Sequence, residues 1–386
     1  MLGFCRFAAF AIITVLSGPA FADSCSPVRE AVSLSLPGFA SAAALVTPPQ
    51  GVTRRGIVVL FPGSDVADMD GAIEGANGTI VSRPMLQVAN RLACAGIASF
   101  RYNKRYVTGP TTVDRAKFET LNGADFAADG RVAVAFVKAR ADLHKLPLGL
   151  VGWSEGTTVA MAVSATDPSV RALVLMAPIV DTSAHVAQAQ YQRIGKPYLA
   201  RFADAGRLDA EAIARADAGP GGDLAHIFVR MFRGFRPGER LNPLLDRNAD
   251  GRITFAEADP VIASWYADGP NTGLGMASTA RALKGVEEAF SATTAQILML
   301  QGLNDSMIDP SAAQRFAQRP DARQRVKLVT YAGLGHSLGS AASTQNDSLL
   351  PVAQKPLDDM AKWLGEALSR KNVARIGLLS PLNDQP

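Results

Sequence analysis

The chain is poor in the residues that most often carry chemistry. Its 386 residues include 3 cysteines and 4 histidines. So few cysteines exclude a disulfide-dense scaffold and a cysteine-rich metal site. The histidines, His144, His185, His226 and His336, leave few candidates for imidazole chemistry. Charge is sparse as well: 19% of residues are charged, and 39 Lys+Arg nearly balance 35 Asp+Glu. There is no basic block and no alternation of basic with aromatic residues, so nothing points to a nucleic-acid partner. Apolar residues are abundant at 48%. That is too many for a disordered chain and enough for a large core shared by two structural units.

Residues 1–22 read as a secretory signal. Arg6 gives a positive start, an apolar run follows from Phe7 to Leu16, and Ala20-Phe21-Ala22 supplies the small-x-small cleavage pattern. The run is well short of the roughly 20 residues a membrane-spanning helix needs, and no later segment is apolar enough to span. The mature protein is therefore expected in the periplasm or outside the cell after cleavage near Ala22. In that setting the remaining cysteines, Cys25 and Cys94, are expected to form one disulfide. It would tie the N-terminal arm to the body.

Short runs rich in Val, Ile and Leu predict buried parallel strands at Gly56–Phe61, Ile97–Tyr102, Leu148–Trp153, Ala172–Met176, Ile297–Gln301 and Val326–Tyr331. Helical patterns separate most of them, at Pro84–Ala95, Gly123–Ala141, Ser154–Ala165 and Pro310–Gln318, with a last helix near Pro356–Arg370. This alternation predicts an α/β fold with helices on both faces of a mostly parallel sheet. Ala31–Leu36 and Ala42–Val46 read as an antiparallel start. The alternation stops after Val180 and resumes near Ala295, with no clear strand between. The expected organisation is a sheet domain in two parts, 23–184 and 291–370, around an inserted helical lid at 185–290, with a tail at 371–386.

Gly152-Trp153-Ser154-Glu155-Gly156 lies between a predicted strand and a predicted helix. In that context G-x-S-x-G is a nucleophile elbow, which pushes the serine hydroxyl out at the end of the sheet. A serine needs a base, and the chain order in such an architecture is Ser, acid, His. His336 alone stands where that order demands, in a glycine-rich loop after the last strand. Asp305, after Ile297–Gln301, is the expected orienting acid, with Asp309 and Asp181 as further candidates. The oxyanion donors are expected to be the backbone N–H groups of Glu155 and of Ser64, which follows the strand Gly56–Phe61. Pro62 has no N–H to offer.

Taken together these residues resemble the α/β-hydrolase superfamily, over about 55–184 and 291–370. Gly63-Ser64 with Asp68-Met69-Asp70-Gly71 is similar to a G-S-G-x-x-D-R-D-G loop of bacterial esterases near the serine-aminopeptidase and dienelactone-hydrolase groups. Arg101-Tyr102-Asn103-Lys104-Arg105 is similar to their R-Y-D-K-R segment. The chain departs from these patterns at Asp65, Met69, Asn103 and Tyr106. The resemblance implies an α/β-hydrolase fold and cleavage of an ester, thioester or amide of a small acyl substrate through an acyl-enzyme. The alternative is a calcium-binding interaction protein on a non-catalytic hydrolase scaffold.

Calcium enters through the insertion. Asp246 to Glu257 satisfies D-x-[DN]-x-[DN]-G-x₅-E in full. Asp246, Asn248 and Asp250 offer side-chain oxygens, Arg252 its carbonyl, Thr254 a direct or water-bridged contact, and Glu257 both carboxylate oxygens. The segment resembles an EF-hand loop, which implies one bound Ca2+ of structural role. Leu241–Leu245 and Ala256–Tyr266 are the candidate flanking helices, shortened by Pro243 and Pro260. No second loop of this pattern is found. Asn77-Gly78-Thr79 and Asn346-Asp347-Ser348 match the glycosylation pattern and read as surface turns.

Overall fold

Val58 and Leu60 face one side of a strand while Ile57, Val59 and Phe61 face the other, and all five are buried. A strand with both faces covered has no polar side to show, which is why Gly56–Phe61 reads as a continuous apolar run. In the computed structural model of the chain, the residues described are 25–64, 66–75, 77–234, 238–267 and 283–369. The predicted signal at 1–22 and tail at 371–386 lie outside them.

The strands are β1 (Val28–Leu36), β2 (Phe39–Thr47), β3 (Gly56–Phe61), β4 (Ile73–Glu74), β5 (Ile80–Ser82), β6 (Ile97–Tyr102), β7 (Leu148–Trp153), β8 (Val170–Met176), β9 (Arg207–Asp209), β10 (Arg252–Thr254), β11 (Gln296–Gly302) and β12 (Val326–Tyr331). Eight form one sheet in the order β1-β2-β6-β3-β7-β8-β11-β12. From β6 to β12 all neighbours are parallel. The hairpin β1–β2 joins antiparallel at one edge, so the sheet is mixed there.

One face of the sheet is covered by the helices Gly123–Ala139 and Glu155–Ser164, through Phe126, Val134, Val137, Val159 and Val163. The other is covered by Pro84–Cys94 and Gln354–Ser369, through Met85, Val88, Leu92, Met360 and Leu364. Cys25 and Cys94 are joined, with Cα atoms 5.8 Å apart. The bond fastens the chain ahead of β1 to the end of the helix Pro84–Cys94.

The segment between β8 and β11 has a core of its own. Tyr191, Ile194, Tyr198, Leu208, Ile213, Phe228, Phe232, Ile253 and Ile262 pack together. The helix Asp223–Arg233 supplies much of it, burying Leu224, Phe228, Val229, Met231 and Phe232 on one side. Three predictions for this segment need correction. It does contain strands, the short antiparallel pair β9–β10, which three residues each make too brief to show as an apolar run. Leu241–Leu245 is a turn rather than a helix. The Asn242 side-chain Oδ1 accepts from Leu244 N–H and its Nδ2 donates to the Met231 carbonyl, so the side chain competes with helical bonding just before Pro243. Pro260, in contrast, does not shorten its helix, which runs Phe255–Ala267 around it. Among the described residues no helix is long and apolar enough to cross a membrane.

Candidate active site

Parallel strands send their C-terminal ends to one edge, where crevices form. Gly63 and Ser64 follow β3, Lys104 follows β6, Ser154 follows β7, Asp305 follows β11 and His336 follows β12. Residues far apart in sequence are gathered along one rim for that topological reason.

Ser154 occupies the turn between β7 and the helix Glu155–Ser164 with φ 53° and ψ −121°, a strained conformation for a residue with a side chain. The glycines of the motif relieve crowding, not the serine's own strain. A Cβ on Gly152 would lie 2.2 Å from the Gly156 carbonyl oxygen, and one on Gly156 would lie 2.2 Å from that of Phe61. Only hydrogen fits at either position. The Ser154 N–H donates to Met176 O at 2.9 Å, and Thr157 Oγ donates to Ser154 O. These bonds hold the elbow from both sides.

His336 is 4% exposed and Asp305 is fully buried. The imidazole Nδ1 lies 3.0 and 3.1 Å from the two Asp305 oxygens. The carboxylate is itself fixed by the Met307 and Ile308 N–H groups, each at 2.8 Å, and by the Gln301 amide at 2.9 Å. The His336 ring sits 5.6 Å from the Trp153 ring, and the Trp153 indole N–H donates to the His336 carbonyl. The imidazole is thereby set against the residue that precedes Ser154. Among the described residues the Ser154 hydroxyl makes no hydrogen bond to that ring; such bonds commonly close only when substrate binds. Burial disfavours the imidazolium, but the Asp305 charge and hydrogen bond, with a further contribution from Asp347, outweigh it. The His336 pKa therefore lies above the usual 6.5.

The other two acid candidates are engaged elsewhere. Asp309 accepts from Ser311 N–H and caps the helix Pro310–Ala317. Asp181 lies near Arg315 and His185.

One contributor, and the contacts made by a second, escape sequence reasoning. The first is Asp347, 1% exposed. It accepts from the His336 N–H at 2.8 Å and from the Ser306 N–H and hydroxyl at 3.1 and 3.2 Å. One carboxylate thus ties the His336 loop to the Asp305 loop. In sequence it is the middle of an Asn-Asp-Ser turn, with nothing to mark it. The second is the side-chain set at the end of β6. Arg101 Nε donates to Asp70 at 2.8 Å, the Met69 N–H donates to Asn103 Oδ1 at 2.8 Å, and Lys104 Nζ donates to the Gly63 carbonyl at 2.6 Å. The segment after β6 and the loop after β3 therefore work as a pair, and a Cβ on Gly63 would stand 3.6 Å from the Ser154 Cβ. The exposed Ser64 follows immediately.

In the loop 246–257, Asp246 accepts from the Asp250 and Gly251 N–H groups, Asn248 Oδ1 from the Asp250 N–H, and Asp250 from the Arg252 N–H. Glu257 is engaged by the Thr254 N–H and hydroxyl at 3.0 and 2.8 Å. Among the described residues no three His, Cys, Asp or Glu side chains are gathered as a metal-holding group. A partner segment does lie opposite. β10 pairs antiparallel with β9, so that Ile253 faces Leu208, both buried. Gly206 and Gly251 share a φ of 77°. Aligned on that pair, Arg201, Ala203, Ala205 and Ala212 fall where Asp246, Asn248, Asp250 and Glu257 stand. A search for liganding residues misses this partner because it has almost none.

Residues 80–340 match the family model described as Serine aminopeptidase, S33. No curated protein matches the chain. Among solved structures, proline iminopeptidase of Mycobacterium smegmatis aligns over 88% of this chain and 98% of its own, at 15% identity and a TM-score of 0.52. That similarity supports the fold. Est1E of Butyrivibrio proteoclasticus aligns over 88% of this chain and 99% of its own, at 14% identity and a TM-score of 0.47.

Proposed function

The chain belongs to the serine aminopeptidase S33 family and is a serine hydrolase; from that premise we propose an exported enzyme that cleaves a small acyl ester, thioester or amide through Ser154, His336 and Asp305. The observation that carries this reading is the doubly held imidazole, with Nδ1 on the Asp305 carboxylate and the ring against Trp153, the residue before a serine at φ 53°. That grip selects the tautomer with Nε2 free to accept a proton.

In this mechanism the Ser154 oxygen attacks the carbonyl carbon while His336 Nε2 takes its proton. The carbonyl electron pair moves onto oxygen, where the N–H groups of Glu155 and Ser64 stabilise it. Collapse of the tetrahedral adduct expels the leaving group, which takes the proton from His336. Water, activated by the same histidine, then releases the acid and restores Ser154. The insertion at 185–290 acts as a lid, and two of its side chains reach the acid loop: Gln190 donates to Met307 O and Arg193 to Asp305 O. Hydrolysis of a short p-nitrophenyl ester should vanish in Ser154→Ala with folding intact. Equal hydrolysis by the two proteins would end the proposal.

For the loop in the lid we propose one structural calcium ion, held by Asp246, Asn248, Asp250, the Arg252 carbonyl, Thr254 and Glu257. The complete sequence pattern and the Ile253–Leu208 pairing support it. Glu257 would have to leave its contact with Thr254 to ligate with both oxygens. The partner segment keeps only Asp209 among the side-chain ligand positions, and that carboxylate caps the next helix, so the expected stoichiometry is a single ion.

A further inference from the structure

The Lys104 ammonium bonds to the peptide that carries one proposed oxyanion donor and to the side chain of the residue that carries the other. Lys104 is 6% exposed, unusual burial for a lysine. Its Nζ donates to the Gly63 carbonyl at 2.6 Å and to Glu155 Oε2 at 2.8 Å, and it stands 4.8 Å from the centroid of the Phe126 ring.

Each partner is bonded to a donor. The Gly63 carbonyl belongs to the same peptide unit as the Ser64 N–H. That unit is planar and trans, so the two groups point in opposite directions. A cation fixed on the carbonyl therefore sets the direction of the N–H on the far side. It also draws electron density from the nitrogen through amide resonance, which makes the N–H a stronger donor. Glu155 is the residue after the nucleophile, and its own N–H is the other donor. Its carboxylate, left unpaired here, would oppose an anion forming nearby; paired with Lys104, it anchors the first helical turn instead.

We propose that Lys104 is a positioning residue for the oxyanion site, gripping Gly63 and Glu155 with one ammonium so that the Ser64 and Glu155 N–H groups converge on the developing charge. The proposal rests on the assignment of those donors under Proposed function. Lys104 touches no reacting atom. Its effect should fall on the transition state and leave ground-state binding of the ester almost unchanged.

The test compares wild type with Lys104→Met, Lys104→Arg and Glu155→Gln on a short p-nitrophenyl ester, with rates normalised to sites titrated by a fluorophosphonate. Lys104→Met should lower kcat on the order of 10–100-fold, less than the 10²–10³ lost when a donor is removed outright. KM should stay within about twofold, as expected when only transition-state binding is lost. Inhibition by a trifluoromethyl ketone, whose adduct carries the oxyanion, should weaken by the same factor as kcat/KM. Lys104→Arg keeps a cationic donor and should recover part of both. Glu155→Gln, at a residue with a partly exposed side chain, keeps the assay informative if Lys104→Met does not fold; it should give a smaller loss with the same parallel between kcat/KM and ketone inhibition. Unchanged ketone inhibition in folded variants would overturn the role of Lys104 alone. A wild type that the fluorophosphonate fails to label at Ser154 would remove the hydrolase mechanism, and this proposal with it.

Discussion

The Asp347 carboxylate holds the backbone N–H of His336 at 2.8 Å, while Asp305 holds its ring from the other side. Both anions favour the imidazolium. Their combined pull exceeds the burial that opposes it, and the histidine titrates above 6.5. The base works only when neutral, so kcat/KM should fall as pH drops through that raised pKa. The acid limb of the profile should therefore lie above 6.5, and Asp347→Asn should move it to lower pH. A limb at or below 6.5 in wild type, or one unmoved by Asp347→Asn, would contradict the electrostatic account.

Asp305 should be far more sensitive than its neighbours. Asp305→Asn leaves the imidazole without its orienting acceptor and should lower kcat by about 10⁴-fold. Asp309 and Asp181 engage other partners, and Asp309→Asn and Asp181→Asn should each stay within about threefold of wild type, since neither meets the histidine. Steady-state kinetics on one ester separates the three. A larger loss at either neighbour would reassign the acid.

Much of the fold was legible in the sequence. The strands were readable because burial on both faces leaves an unbroken apolar run, as in Leu148–Trp153. The sharp turn at Ser154 was readable because a Cβ on Gly152 or Gly156 would run into a backbone carbonyl oxygen, so only glycine fits there. What stayed hidden depends on distant parts of the chain. Asp347 matters because β11 and β12 are neighbours, which places its turn under both Ser306 and His336. Lys104 matters because β6 and β3 are neighbours. The partner of the loop 246–257 stayed hidden because, Asp209 apart, its side-chain liganding positions are Arg and Ala, and only the β9–β10 pairing reveals it.

The bond between Cys25 and Cys94 closes a span of 69 residues. The loop-entropy relation gives about 4 kcal/mol for a loop of that size. Cys25→Ser/Cys94→Ser should unfold at lower urea by an amount near that figure and keep its kcat, since the bond is remote from the elbow. Reductant should destabilise wild type and leave the double variant unchanged. Equal stability of the two proteins under oxidising conditions would count against the bond.

Calcium should bind once per chain. Isothermal titration of the chelator-treated protein should give a stoichiometry of one, and a calcium concentration 100-fold above Kd should add about 2.7 kcal/mol to stability. Glu257→Gln should weaken binding and remove most of that gain. Two ions would mean that Arg201–Ala212 ligates despite its alanines, and no thermal shift with calcium would argue against a structural ion.

The most direct test of the central claim is the site of covalent capture. The full chain, treated with a fluorophosphonate, should gain one adduct, and peptide mass spectrometry should place it on Ser154. Labelling should vanish in Ser154→Ala and slow sharply in His336→Ala. A wild type that stays unlabelled, or an adduct on any other residue, would contradict the account.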